Sequence, residues 1–188
     1  MSITPAAVEV IRALSAVLPR FGPWYLFGAQ AVIAFGVPRL SADVDVTLRL
    51  APESRHAFID DMKAAAFELR AGDAELVRLT SVLPFVHSPT GMPVDVVLAG
   101  SGLEDEFLQR ARPIRLEDVQ VPTIDPEDLV IAKILAGRPK DLDDARGLWR
   151  IHGARLDAVR IRRVLQLLED ALAQNDLVPV FEEIQRHV

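Results

Sequence analysis

The chain has 188 residues, 50% hydrophobic and 26% charged, with a net charge of −6. That balance describes a globular protein with enough apolar material for a full core, and it excludes disordered, fibrous and two-large-domain organisations. The absence of cysteine removes disulfides, thiolate catalysis and cysteine-ligated zinc or iron–sulfur sites together.

Thr4-Pro5 predicts a helix start, a capping residue followed by a proline in the first turn, and the apolar period from Val8 to Leu18 carries the helix to about Pro19. Glu9 and Arg12 interrupt that stretch, so no signal peptide is expected. Residues 24–27 read as a short apolar strand, Gly28 as a turn, and residues 29–35 as a short helix stopped by Gly36 and Pro38. The nearly uncharged run 21–38 is therefore core, not a membrane span, and the expected location is the cytoplasm with no membrane contact.

Residues 43–50 (DVDVTLRL) alternate at period two, the mark of a half-buried strand, and Pro52-Glu53-Ser54 opens a helix to about Ala66. Residues 75–80, 83–87 and 93–98 read as strands, the last two joined as a hairpin through Ser88-Pro89-Thr90-Gly91. A short helix follows Gly102. Asp125-Pro126-Glu127-Asp128 is a dense helix start, with the helix ending at Gly137. Residues 141–188 read as helical, with breaks at Gly153 and between Asn175 and Pro179. This order predicts an α+β fold, a mixed sheet flanked by helices with a C-terminal helical bundle, divided into a core at 1–123 and a helical region at 124–188 packed on it.

Asp43 and Asp45 stand two apart on the alternating strand, so both carboxylates leave one face while Val44 and Val46 enter the core. A hard divalent cation, Mg²⁺ or Mn²⁺, neutralises such a pair; a solvent-facing pair on an edge strand is the competing reading. Asp95, lodged among valines in another apolar strand, needs a partner of its own. Gly28-Ala29 lies where a strand meets a helix N-terminus, a place whose free N–H groups favour phosphate.

These residues resemble the DNA polymerase β-like nucleotidyltransferases, whose signature is a Gly-Gly or Gly-Ser turn, then Asp-x-Asp or Asp-x-Glu, and a third Asp on a later strand. Within that superfamily, Gly28-Ala29-x-Ala31, Phe35-Gly36-x-x-Arg39-x-Ser41-x-Asp43-x-Asp45 and the stretch from Lys133 to Asp144 resemble the AbiEii-type enzymes, which include toxins of toxin–antitoxin and phage-defence systems. Ala29 departs from the pattern: it lacks the hydroxyl of a serine, leaving only backbone donors.

The resemblance implies a polymerase β-like fold and metal-assisted transfer of an NMP from an NTP. It places Asp43 and Asp45 on Mg²⁺ or Mn²⁺, and Asp95 on the hydroxyl-side metal and on the acceptor's proton. Gly28, Ala29 and Ser41 would hold the β and γ phosphates, Lys133 and Lys140 the triphosphate or transition-state charge, and Arg39 would steer a phosphate or else pack on the loop. Asp141 and Asp144 would orient Lys140 or Arg138, or serve as the acids of a helix start. A solvated lysine on an amphipathic helix is the plain alternative for Lys133.

Residues 138–163 hold eight Lys and Arg against four Asp, a local +4 on an acidic body. An exposed solvated face is their default reading, and an RNA or nucleotide contact the second. The four histidines are too scattered for a metal site, and Trp24 and Trp149 read as core anchors. Three functions compete. The first is transfer to RNA such as a tRNA 3′ end, or to a protein, with a possible cognate antitoxin. The second is transfer to a small hydroxylated molecule, as in antibiotic nucleotidyltransferases. The third is a degenerate, non-catalytic nucleotide- or partner-binding protein.

Overall fold

In the computed structural model the apolar periodicities resolve into one mixed sheet with helices on both faces; residues 3–70, 81–100 and 102–187 are described. Helix α1 (Pro5–Val17) starts where Thr4 Oγ1 accepts the Ala7 N–H at 3.3 Å, and it runs into a 3₁₀ turn, Leu18–Arg20. Strand β1 (Trp24–Phe27) passes directly into the short helix α2 (Gly28–Ala34). Then come β2 (Val44–Leu48), α3 (Arg55–Ala64), β3 (Phe67–Leu69), β4 (Val82–His87), β5 (Met92–Leu98) and α4 (Leu103–Arg110). A hairpin, β6 (Arg112–Leu116) and β7 (Val119–Thr123), precedes four helices: α5 (Pro126–Ala136), α6 (Pro139–His152), α7 (Ala158–Leu172) and α8 (Leu177–Arg186).

The strand order is β3-β4-β5-β2-β1-β7-β6. β2 pairs antiparallel with β1 and parallel with β5, and β1 pairs parallel with β7. Period two then sorts the side chains. Trp24, Leu26, Val44, Val46, Val94 and Val96 turn to one face and join α1 and α3 in a core. The opposite face, bearing Asp45 and Asp95, is covered by a second core in which Tyr25 and Val32 meet Ile131, Leu148, Leu165 and Phe181.

Helix α5 is buried on most sides because it lies between the sheet and the later helices, and both of its ends carry the expected caps. Asp125 Oδ1 accepts the Glu127 N–H at 3.0 Å, and Gly137 closes the helix at φ +65. Its second and third residues anchor an ion network. Arg110 Nε bonds Asp128 Oδ2 at 3.0 Å and Arg110 Nη2 bonds Glu127 Oε2 at 2.6 Å. Arg160 Nη1 lies 2.6 Å from Asp128 Oδ1, and Arg160 Nη2 bonds Glu106 Oε1 at 2.6 Å. The network ties α4, α5 and α7 together around the fully buried Asp128.

Several elements depart from expectation. The β6–β7 hairpin and the short β3 carry no clear sequence pattern: Arg112, Pro113 and Arg115 break the alternation of β6, which tolerates them because it is an edge strand. Pro179 does not break a helix; it sits in the first turn of α8, where its missing N–H costs nothing, and the break lies just before α8. Helix α6 starts at Pro139, ahead of Asp141. The predicted strand 75–80 lies outside the described residues.

Half of the basic sector is neutralised from within the fold. Arg160 is buried in the network above, Arg138 pairs with Asp141, Arg146 pairs with Asp143 at 3.0 Å, and Arg162 lies 3.5 Å from Glu182. Much of the partnering carboxylate comes from outside 138–163, which a local charge count does not register. Among the described residues Lys140, Arg150, Arg155 and Arg163 have no ion-pair partner. Among the same residues no helix is long and apolar enough to cross a membrane.

Candidate active site

The register of the central strands sets Phe27, Asp45 and Asp95 side by side across β1, β2 and β5. Just beyond Phe27 the chain turns through Gly28 at φ +63. A Cβ there would meet Asp45 Oδ2 at 2.0 Å, so only glycine lets the turn approach the carboxylate this closely. The Ala29 N–H donates to the Asp45 carboxylate. Gly28, Ala29, Asp43, Asp45, Asp95 and Lys133 all line one cavity of about 220 Å³, which Arg39, Arg138, Lys140 and Asp141 also border.

Asp45 is the most perturbed acid of the cavity. Burial pushes its carboxyl up to about 6, the charges of Asp43 and Asp95 push the same way, and Lys133 with the Ala29 N–H opposes them. Each flanking carboxylate has an internal partner. Ser41 Oγ donates to Asp43 Oδ1 at 2.5 Å, and Gln30 Nε2 donates to the Asp43 carbonyl at 2.9 Å. Arg70 Nη2 donates to Asp95 Oδ1 at 2.6 Å. Among the described residues no three His, Cys, Asp or Glu side chains stand together at metal-binding spacing.

Lys133 reaches the cavity from α5 and is buried, not solvated. Its ammonium lies 2.8 Å from Asp141 Oδ1 and 2.8 Å from Asp144 Oδ2, both on the first turns of α6. Asp144 also holds Arg39, and Asp141 also holds Arg138. Burial raises the Asp141 carboxyl, but Arg138 and Lys133 outweigh it and keep it below its ordinary value. The two acids therefore orient Lys133, Arg138 and Arg39, while Lys140 stands exposed at the rim. Ser41 does not border the cavity itself; its hydroxyl is turned to Asp43.

Gln30 and Arg70 escaped sequence reasoning. A glutamine within the apolar helix 29–35 is a visible signal, since a buried amide needs a partner. Arg70 gives none, because the residue it reaches depends on a β3–β4 register that the sequence does not display. The histidines stay apart from the cavity: His152 Nε2 donates to the Phe35 carbonyl at 2.7 Å, and His87 lies 3.0 Å from Thr90 Oγ1.

A mixed sheet with a glycine turn opposite two adjacent carboxylate-bearing strands, closed by C-terminal helices, is the polymerase β-like nucleotidyltransferase fold. The chain belongs to the family described as "Nucleotidyltransferase of unknown function (DUF6036)", whose profile matches residues 24–187. Three solved structures share its fold. The antibiotic-resistance factor ANT(2'')-Ia is 14% identical over 97% of this chain and 96% of its own, with a TM-score of 0.59. A nucleotidyltransferase-like protein from Paracoccidioides brasiliensis is 15% identical over 94% and 91%, with a TM-score of 0.56. The lincosamide antibiotic adenylyltransferase LnuA, solved with lincomycin, is 12% identical over 80% and 99%, with a TM-score of 0.53. No curated protein sequence matches the chain.

Proposed function

We propose that this protein transfers a nucleoside monophosphate from an NTP to the hydroxyl of a small acceptor with the help of a divalent cation. The observation that carries the reading is the cavity in which Asp43, Asp45 and Asp95 face the Gly28–Ala29 turn and Lys133. The donor set suits Mg²⁺ or Mn²⁺: every candidate ligand is a carboxylate oxygen, and the Asp45 carboxyl, raised first by burial and then by the charges of Asp43 and Asp95, is one that a bound cation would lower. Asp43, Asp45 and Asp95 line the cavity without standing at metal-binding spacing, and would hold the cation once Asp43 turns from Ser41 and Asp95 from Arg70; the cation would supply charge neutralisation for the triphosphate and a lowered pKa for the acceptor hydroxyl.

The chain's own residues do the rest. Backbone N–H groups of the Gly28–Ala29 turn receive phosphate oxygens, the Ala29 N–H being shared with Asp45, and Lys133, held by Asp141 and Asp144, places a fixed positive charge against the triphosphate. Lys140 and Arg138 at the rim add charge, Arg39 keeps Asp144 in place, and Ser41 steadies Asp43. The acceptor oxygen bonds to the α-phosphorus, the bond from that phosphorus to the α–β bridging oxygen breaks, and pyrophosphate departs with the electron pair. Asp95 takes the hydroxyl proton.

Small acceptors are favoured because half of the basic sector, Arg138, Arg146, Arg160 and Arg162, is already paired within the fold, and because ANT(2'')-Ia and LnuA are described as antibiotic-directed proteins. The second reading, an AbiEii-type enzyme acting on RNA such as a tRNA 3′ end or on a protein, possessing a cognate antitoxin, draws on Lys140, Arg150, Arg155 and Arg163, the four cations of that sector without an ion pair among the described residues. Incubation with each labelled NTP, Mg²⁺, total RNA and a panel of hydroxylated small molecules separates these readings. Label on a small molecule supports the proposal, label on RNA or protein supports the second reading, and label nowhere with intact fold overturns both.

A further inference from the structure

We infer that a second chamber, adjoining the proposed active cavity, binds the acceptor, and that the acceptor is a small alcohol with an apolar body and a protonated amine. The inference rests on the nucleotidyl-transfer reading above. The sheet itself positions the chamber. In the register that sets Phe27 beside Asp45 and Asp95, the next row on the same face is Tyr25, Thr47 and Val97, about 6.6 Å further along the strands. That row floors a cavity of about 290 Å³. Helix α5 roofs it through Leu135, and α4 walls it with Leu103 and Phe107. Phe27, Ala132 and Ala136 border both cavities, so the two lie side by side.

Direction assigns the chamber its occupant. Along β1 the Gly28–Ala29 turn lies on one side of Phe27 and Tyr25 on the other. Phosphoryl transfer puts the attacking and leaving oxygens in line. If pyrophosphate leaves toward the turn, the attacking hydroxyl arrives from the opposite side, where the Tyr25–Thr47–Val97 row lies. The cavity is at the small end of the usual range for ligand sites, about 300–1,000 Å³, and does not admit a polynucleotide.

Its chemistry specifies the rest. The lining is mostly apolar, and the hydroxyls of Tyr25 and Thr47 bond to each other. Glu104, on the first turn of α4, also borders the chamber and makes no hydrogen bond or ion pair among the described residues. An unpaired carboxylate at the edge of apolar surface calls for a cation. An alkyl or aromatic body against Val97, Leu103, Phe107 and Leu135, with an ammonium at Glu104 and a hydroxyl turned toward Asp95, satisfies all of these groups at once.

The test uses the whole protein, with backbone amide NMR as the readout. Phenylalaninol has an aromatic body, a hydroxyl and an amine; 3-phenylpropan-1-ol lacks only the amine. Phenylalaninol is expected to give saturable shifts at Thr47, Val97 and residues 103–107, binding about tenfold more tightly than the neutral alcohol, with Glu104→Gln erasing the difference. MgATP is titrated separately and is expected to shift Gly28, Ala29 and Lys133. The inference is overturned if phenylalaninol does not shift the chamber residues, if the neutral alcohol binds as well, or if MgATP itself shifts the Tyr25–Thr47–Val97 row, which would make the chamber a nucleoside site. Phenylalaninol binding in the chamber without MgATP binding in the cavity would instead overturn the nucleotidyl-transfer reading.

Discussion

Asp45 is held in the cavity by opposing demands. Burial and two neighbouring acids raise its carboxyl to about 6 from an ordinary 3.8. Because the folded value lies above the unfolded one, the native state binds the extra proton between about pH 6 and pH 4. Stability from this group is present below that window and is lost as pH rises through it. Asp141, held low by Arg138 and Lys133, acts with the opposite sign and at lower pH. Asp45→Asn is therefore expected to abolish nucleotidyl transfer while holding or raising the melting temperature, and to flatten the decline in melting temperature of the metal-free wild type between pH 5 and pH 7.5. Parallel melts at the two pH values check this; an unchanged slope in the variant would refute the electrostatic account. The same repulsion predicts that Mg²⁺ stabilises the wild type more at pH 7.5 than at pH 5, and that Asp45→Asn loses most of that stabilisation. Lys133 is different, since it is structural as well as proposed to be catalytic. Lys133→Met keeps the aliphatic stem but leaves Asp141 with Arg138 alone and Asp144 with Arg39 alone, so a loss of about 1–3 kcal/mol of stability is expected alongside weakened NTP binding. Denaturant melts and an NTP titration separate the two effects.

At the level of elements, the ion network at the start of α5 makes the sharper forecast. Arg160 and Arg110 are the cations on the fully buried Asp128. Breaking such a pair from one side costs about 3–5 kcal/mol, so Arg160→Glu is expected to unfold the protein or sharply lower its denaturant midpoint. Arg163→Glu, three residues along the same helix and exposed, should change stability by less than about 0.5 kcal/mol. Sequence alone treats these two arginines as equivalent. What it does display is local and periodic: the alternation that makes β2 a strand with its aspartates on one face, the Thr4-Pro5 start of α1, and the Asp125-Pro126 start and Gly137 stop of α5. What it hides depends on registers between distant segments. Arg70 meets Asp95 only through the β3–β4–β5 pairing, Lys133 finds Asp141 and Asp144 only because α6 folds back on α5, and the β6–β7 hairpin owes its place to β1 more than to its own residues. The cavity's acids are recognisable from motifs without any of these long-range pairings, because a turn and two carboxylate-bearing strands are each encoded within a few residues.

For the whole molecule, the question is whether its charge is arranged to hold a polyanion. The net charge of −6 opposes nucleic acid, and four of the eight cations of residues 138–163 are spent on carboxylates of the same fold. What remains among the described residues is Arg150, Arg155 and Arg163, with Lys140 beside the cavity. If these hold RNA, reversing Arg150, Arg155 and Arg163 together to Glu should weaken RNA binding and reduce the slope of log affinity against log salt by about 0.7 for each single-strand phosphate that is no longer neutralised, about 2 in all. None of the three borders the cavity, so nucleotide binding serves as the internal check on folding. The small-acceptor reading makes the opposite forecast: weak RNA affinity in the wild type, and a salt slope that the triple reversal leaves where it was. A salt titration of RNA binding on both proteins decides between them. A wild-type slope that falls by about 2 on reversal would move the acceptor from a small alcohol to RNA, leaving the chamber beside Asp95 to be explained by some other ligand.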